Sequence, residues 1–132
     1  MKLLLDTHLL IWSAEGDGGQ SGVMPQVAAD LIDDPANTLV FSVASIWETA
    51  IKCALDRDDF TTKPGLLRRA LLDNGYEELP ILASHALAAG ALPALHKDPF
   101  DRMLIAQASV EGFLLLTADA QIAAYPGPIR KV

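Results

Sequence analysis

Hydrophobic positions along this chain fall into short unbroken runs separated by longer, interrupted patterns. Three runs read as buried strands: Lys2–Leu5, Leu39–Ser42 and Phe113–Thr117. Continuous apolar runs of this length suit parallel strands covered on both faces. A weaker fourth run spans Tyr76–Ile81, and a ragged last one lies near Pro128–Val132. Helical patterns with recognisable ends lie between them. Pro25 suits the first turn of a helix running to about Asp33, and Pro35 marks its exit. Ser45-Ile46-Trp47-Glu48 has capping-box spacing at the head of a helix running to about Leu55. Leu66–Asp73 stops at Asn74-Gly75, a left-handed terminator. Ser84–Ala89 is a short helix closed by Gly90. Asp98-Pro99 opens the helix Phe100–Glu111, which Gly112 ends. This alternation predicts an α/β fold with a mainly parallel sheet covered by helices on both faces.

Composition narrows the picture. The 132 residues suit one ordinary domain over 1–132, and 51% hydrophobic content excludes disorder as the main state. Seventeen acidic against ten basic residues leave a net charge of -7, which excludes a uniformly basic nucleic-acid coat. A nucleic-acid substrate stays open, because a basic patch or bound cations can supply local positive charge. Cys53 is the only cysteine, so no intramolecular disulfide can form. Asp6 and His8 break the opening apolar run before it reaches signal-peptide length. The uncharged stretch Leu79–His96 is too interrupted by Pro80, Gly90 and Pro93 to cross a bilayer. A soluble, cytoplasmic protein is expected. The loosest segment, Glu15–Gly22, holds four of the nine glycines and matches no phosphate-binding fingerprint.

The acidic residues carry the chemical signal. Asp6 follows the first strand, Glu48 is placed in the first turn of the helix after Leu39–Ser42, and Asp119 lies just beyond Phe113–Thr117. The carboxyl ends of parallel strands share one edge, where ligands bind. Asp101 joins this group if its helix starts at the same edge. Two like charges about 4 Å apart repel by about 4 kcal/mol at an effective dielectric of 20. Protonation, pairing with Lys or Arg, or a bound cation relieves such crowding. Oxygen donors without a Cys or His pair favour Mg²⁺ or Mn²⁺ over zinc. Such ions activate water and neutralise a phosphodiester, which points to cleavage of a nucleic-acid backbone.

Each carboxylate also has a reading without chemistry. Glu48 could complete the capping box with Ser45, Asp98 could cap the helix before Pro99 with Asp101 as its partner, and Asp119 could cap a following turn. Asp6 is hardest to explain this way, because a carboxylate ending a buried strand must find a partner.

Four blocks together resemble the PIN-domain family, most closely the VapC-type toxins of bacterial toxin–antitoxin pairs. These blocks are Leu3-Leu4-Leu5-Asp6-Thr7-His8, Ser45-Ile46-Trp47-Glu48, the run from His96 to Ala108 around Asp98-Pro99-Phe100-Asp101-Arg102, and Leu115-Leu116-Thr117-Ala118-Asp119. The resemblance implies an α/β/α sandwich acting as a Mg²⁺- or Mn²⁺-dependent endoribonuclease on RNA. It implies a homodimer and a cognate antitoxin whose tail occupies the active-site groove. The family's acidic quartet maps onto Asp6, Glu48, Asp101 and Asp119, with Asp98 as an accessory. Thr7 and Thr117 would orient carboxylates or bound water. PIN domains also serve in RNA processing, so the toxin role rests on analogy. The glycine-rich insert after Trp12 departs from the compact loop expected there.

Backbone contacts to RNA could come from Lys52, Arg57, Lys63, Arg68, Arg69, Lys97 or Arg102. Lys97 and Arg102 flank Asp101 and are the preferred pair for phosphate contact or charge balance. Arg68 and Arg69 read as a solvated helix face. His8, His85 and His96 are scattered and read as structural or solvated. Trp12 and Trp47 are expected in the core, with a contribution to association as the lesser reading. The main rival to a nuclease is a catalytically silent PIN-fold interaction module. A phosphoryl-transfer domain ranks lower, because position 8 is His where a phosphatase wants a second Asp, and no receiver-type acidic pair precedes Asp6.

Overall fold

Successive leucines of the first strand bury on opposite faces, and this alternation builds the protein. The computed structural model describes residues 1–15, 24–55 and 62–132. Its strands are β1 (Lys2–Leu5), β2 (Thr38–Ser42), β3 (Glu77–Leu79), β4 (Leu114–Thr117) and β5 (Ile129–Lys131). They form one sheet in the order β3-β2-β1-β4-β5, with every pairing parallel. The helices are α1 (Thr7–Glu15), α2 (Gln26–Asp33), α3 (Val43–Ala54), α4 (Pro64–Asp73), α5 (Ala83–Gly90), α6 (Pro99–Glu111) and α7 (Ala120–Ala123).

Leu3 and Leu5 of β1 point with Phe41 and Leu116 into one core, covered by Leu9, Leu10 and Ile11 of α1, Ala28 of α2, and Leu67 and Leu71 of α4. Leu4 points with Val40 and Leu115 into the other, covered by Leu104, Ile105 and Ala108 of α6 and Ile122 of α7. Two helical layers thus enclose the sheet, and β1 is buried on both faces as its unbroken run of leucines requires. Each fully buried leucine contributes roughly 2 kcal/mol of transfer free energy.

The chain runs from β1 through β2 to β3 on one side, then returns to β4 and β5 on the other. The order therefore reverses between β1 and β4. A crevice opens at such a switch point, beyond the carboxyl ends of the strands.

The expected strands and helices are present, and four local features differ. Helix α1 was not anticipated from the sequence pattern, although Asp6 Oδ1 accepts from the Leu9 amide at 2.9 Å in the manner of an N-cap. Helix α3 starts at Val43, because Ser42 and not Ser45 is its cap, accepting from the Ala44 amide at 3.0 Å. The expected capping box is therefore absent, and Glu48 lies in the second turn. Helix α4 begins at Pro64, two residues early, with proline in the first turn where its missing amide proton costs nothing. Trp47 is not in the core: it is 59% exposed, edge-on to Phe100 at 5.2 Å between ring centroids. Trp12 is half-buried against the α1 core. Most of the glycine-rich segment, and Arg57, lie outside the described residues.

Candidate active site

Capping geometry places the acidic residues. Asp6 ends β1, and its backbone amide still bonds Leu116 O of β4 at 3.0 Å, which holds it at the sheet edge. Its side chain is 3% exposed. Oδ1 caps α1, and Oδ2 accepts from the Thr117 hydroxyl at 2.5 Å. Thr117 Oγ1 in turn accepts from the Asp119 amide at 2.9 Å. Asp119 is the N-cap of α7 through the Gln121 amide at 2.7 Å. One hydroxyl therefore ties the first acidic residue of the chain to the last.

Glu48 is 4% exposed. Its Oε1 accepts from the Thr7 hydroxyl at 2.7 Å, and its Oε2 pairs with Lys52 Nζ at 2.8 Å, one turn along α3. Thr7 Oγ1 also lies 2.9 Å from Ser45 Oγ. Thr7 has one hydroxyl proton, which goes to the carboxylate, so Ser45 donates to Thr7.

Asp98 is the N-cap of α6, with Oδ1 accepting from the amides of Phe100 at 2.9 Å and Asp101 at 3.2 Å. Asp101 does not return the bond as a capping partner. Its Oδ2 lies 2.8 Å from His96 Nε2. Among the described residues, His96, Asp98 and Asp101 form a possible ligand group, each offering one atom within 4.8 Å of the others.

These side chains line a single cavity of about 210 Å³ that contains Asp6, Thr7, Glu48, Asp98, Asp101 and Asp119 together with His8, Lys52 and His96. A more open groove continues past Asp6, His8, Trp12 and Asp119. All four residues of the expected quartet thus line the cavity. His8 and His96, scattered in the sequence, line it as well. Only His85 is remote: its Nδ1 accepts from the Leu82 amide, so the neutral ring donates from Nε2 to Glu111 at 2.8 Å.

Of the cations considered for RNA contact, Lys52 lines the cavity. Neither Lys97 nor Arg102 lines the cavity. Arg102 instead donates to the carbonyl oxygens of Ala89, Leu92 and Pro93 and to Tyr125 Oη, bracing the turn after α5. Lys52 is the lysine in the site. Arg68 pairs with Glu78 across the surface, as a solvated helix face allows.

Crowding shows in the protonation equilibria. Burial pushes the Asp6 carboxyl above its ordinary 3.8, against the opposing hydrogen bonds from Thr117 and Leu9. Burial also pushes Asp101 up to about 6, aided by repulsion from Asp98 and Glu48 and opposed by His96. Among the described residues, five carboxylates and one lysine line this cavity. A divalent cation held by carboxylate oxygens fits that donor set and relieves its repulsion.

A sequence–helix–edge arrangement of this kind defines an α/β/α protein whose parallel sheet presents an acidic crevice at its switch point. The chain belongs to the PIN domain family, whose family model matches residues 3–128. No curated protein matches the chain. Among solved structures, it is similar to VapBC2 from Rickettsia felis bound to a DNA fragment from its promoter, at 15% identity and TM-score 0.68, covering 99% of this chain and 98% of that one. It is also similar to a toxin–antitoxin complex from Klebsiella pneumoniae, at 16% identity and TM-score 0.63, covering 98% and 99%. A third is VapBC-1 from nontypeable Haemophilus influenzae, at 18% identity and TM-score 0.62, covering 99% and 98%. These likenesses bear on the fold. Among the described residues, no helix is long and apolar enough to cross a membrane.

Proposed function

We propose that this protein is a divalent-metal-dependent endoribonuclease and the toxin of a toxin–antitoxin pair. The observation that carries the reading is the convergence of five carboxylates from distant parts of the chain on one small cavity with a single lysine. Asp6, Glu48, Asp101 and Asp119 would hold Mg²⁺ or Mn²⁺, with Asp98 beside them. A cation there supplies charge for a phosphodiester and an activated water.

The chain's own residues supply the arrangement. Thr117 fixes one oxygen of Asp6, and Thr7 fixes one oxygen of Glu48, so both carboxylates are oriented before any ligand arrives. Lys52 balances Glu48 and lines the same cavity, where it would add positive charge for a substrate phosphate. The toxin role, a cognate antitoxin seated over the groove and a cytoplasmic setting are drawn from the family, from the VapBC2 and VapBC-1 neighbours and from the one described as a toxin–antitoxin complex. A homodimer and a single domain over 1–132 complete the proposal.

Incubation of the antitoxin-free protein with total cellular RNA in Mn²⁺, with Asp101→Asn in parallel and new ends sequenced, tests it. Discrete cuts that vanish in Asp101→Asn and with EDTA are expected. Identical patterns from both proteins, or no cuts from a folded protein that binds no metal, would overturn the catalytic reading in favour of an interaction module.

A further inference from the structure

The hydrogen bonds around Asp101 continue beyond the acidic cavity. His96 Nε2 lies 2.8 Å from Asp101 Oδ2. Against an ionised carboxylate, Nε2 must carry the proton, because the carboxylate can only accept. The backbone of His96 is gripped at both polar atoms by one side chain: its amide donates to Tyr125 Oη at 2.7 Å, and Tyr125 Oη donates to its carbonyl oxygen at 3.1 Å. Tyr125 is buried in the α6 core, so its ring is held by packing. Its hydroxyl also accepts from Arg102 Nη1 at 3.3 Å. Arg102 is anchored through carbonyl oxygens of Ala89, Leu92 and Pro93.

We propose that His96 is a positioning residue for Asp101, held in place by Tyr125 and Arg102, so that one carboxylate oxygen is fixed and the other is left for the cation. This inference rests on the metal-dependent reading above. The imidazole bonds the carboxylate and would orient it toward the cation, as hydrogen-bonded partners of ligands often do. A carboxylate pinned at one oxygen loses less side-chain freedom when a cation arrives. The arrangement also explains why Arg102, next to Asp101 in sequence, does not enter the cavity. Its contribution passes through the tyrosine and the histidine.

The test compares Mn²⁺ affinity by calorimetry for wild type, His96→Ala, His96→Gln and Tyr125→Phe, with melting in EDTA as a check on folding. Loss of a partner that orients a ligand weakens metal binding about tenfold or more, the effect expected of His96→Ala. Gln places an amide donor near the position of Nε2, so His96→Gln should bind close to wild type. Tyr125→Phe keeps the packed ring and should fall between them. Equal affinity in all four proteins would overturn the proposal, as would a His96→Gln protein as weak as His96→Ala. Pulsed electron paramagnetic resonance of bound Mn²⁺ adds a separate readout. Nitrogen coupling that disappears in His96→Gln would make His96 a direct ligand and overturn the positioning role. A wild type that binds no Mn²⁺ would overturn the metal-dependent reading, and this proposal with it.

Discussion

Asp101 illustrates how single residues here are set by their surroundings. A carboxyl held at about 6 against an ordinary 3.8 binds its proton more tightly in the folded state. Its contribution to stability is therefore full below about pH 4 and is lost as pH rises through about 6. Asp101→Asn removes the charge and keeps the shape. In EDTA it should stabilise the protein by ~1–3 kcal/mol at pH 7.5 and by almost nothing near pH 4. Urea denaturation at the two pH values measures this, and an equal effect at both would contradict the burial of a strained carboxylate. Asp6 is raised in the same direction, chiefly by burial. Both shifts arise chiefly from burial of a carboxyl group in the crevice.

Helix ends decide where these residues stand. Asp6, Asp98 and Asp119 are each N-cap side chains, at α1, α6 and α7. Capping and chemistry are not alternatives at these positions. One oxygen satisfies the helix amides while the side chain lines the cavity. The C-terminal ends follow equally simple rules. Gly112 ends α6 in the left-handed region at φ 75°, with the Phe113 amide closing back on Ala108 O at 3.0 Å. Gly90 closes α5 without a positive φ, and a Cβ would meet nothing within 4 Å at either glycine. The two alanine substitutions should thus have opposite signs. Gly112→Ala should lose about 1 kcal/mol through the strained backbone, and Gly90→Ala should gain about 0.5–1 kcal/mol from reduced unfolded-state freedom. Chemical denaturation of the pair would detect both, and like signs would contradict the conformational account.

Whole-molecule organisation follows from the parallel sheet. A central β1, flanked by β2 on one side and β4 on the other, carries Asp6 to the point where the strand order reverses. Asp119 reaches the same point from β4, while α3 and α6 bring Glu48 and Asp101 from outside the sheet. Trp47 and Ile51 of α3 and its C-cap Leu55 lie four residues apart and are 59%, 37% and 66% exposed. Such a row of exposed apolar side chains supports the proposed homodimer, since contiguous apolar surface marks interaction sites. Sedimentation at tens of micromolar should show the dimer, and a strict monomer would rule it out.

Much of this was legible in the linear pattern. The three apolar runs, the Asp98-Pro99 opening of α6 and its Gly112 terminator depend on local rules of burial, capping and backbone freedom. The acidic positions were legible too, since strand ends in an α/β protein share an edge. Helix α1 is not legible, because Asp6 reads as the end of a strand and its capping bond to Leu9 depends on the backbone turning there. Three further features are properties of contacts between distant segments. Thr117 bonds Asp6 across 111 positions, and Tyr125 grips His96 from 29 positions away. Arg102 turns from its neighbour Asp101 toward carbonyl groups of the α5 turn. Sequence adjacency governs which residues share a helix turn. Which side chain a hydrogen-bond donor finally meets is settled by packing, because that partner becomes a neighbour only when the sheet has assembled.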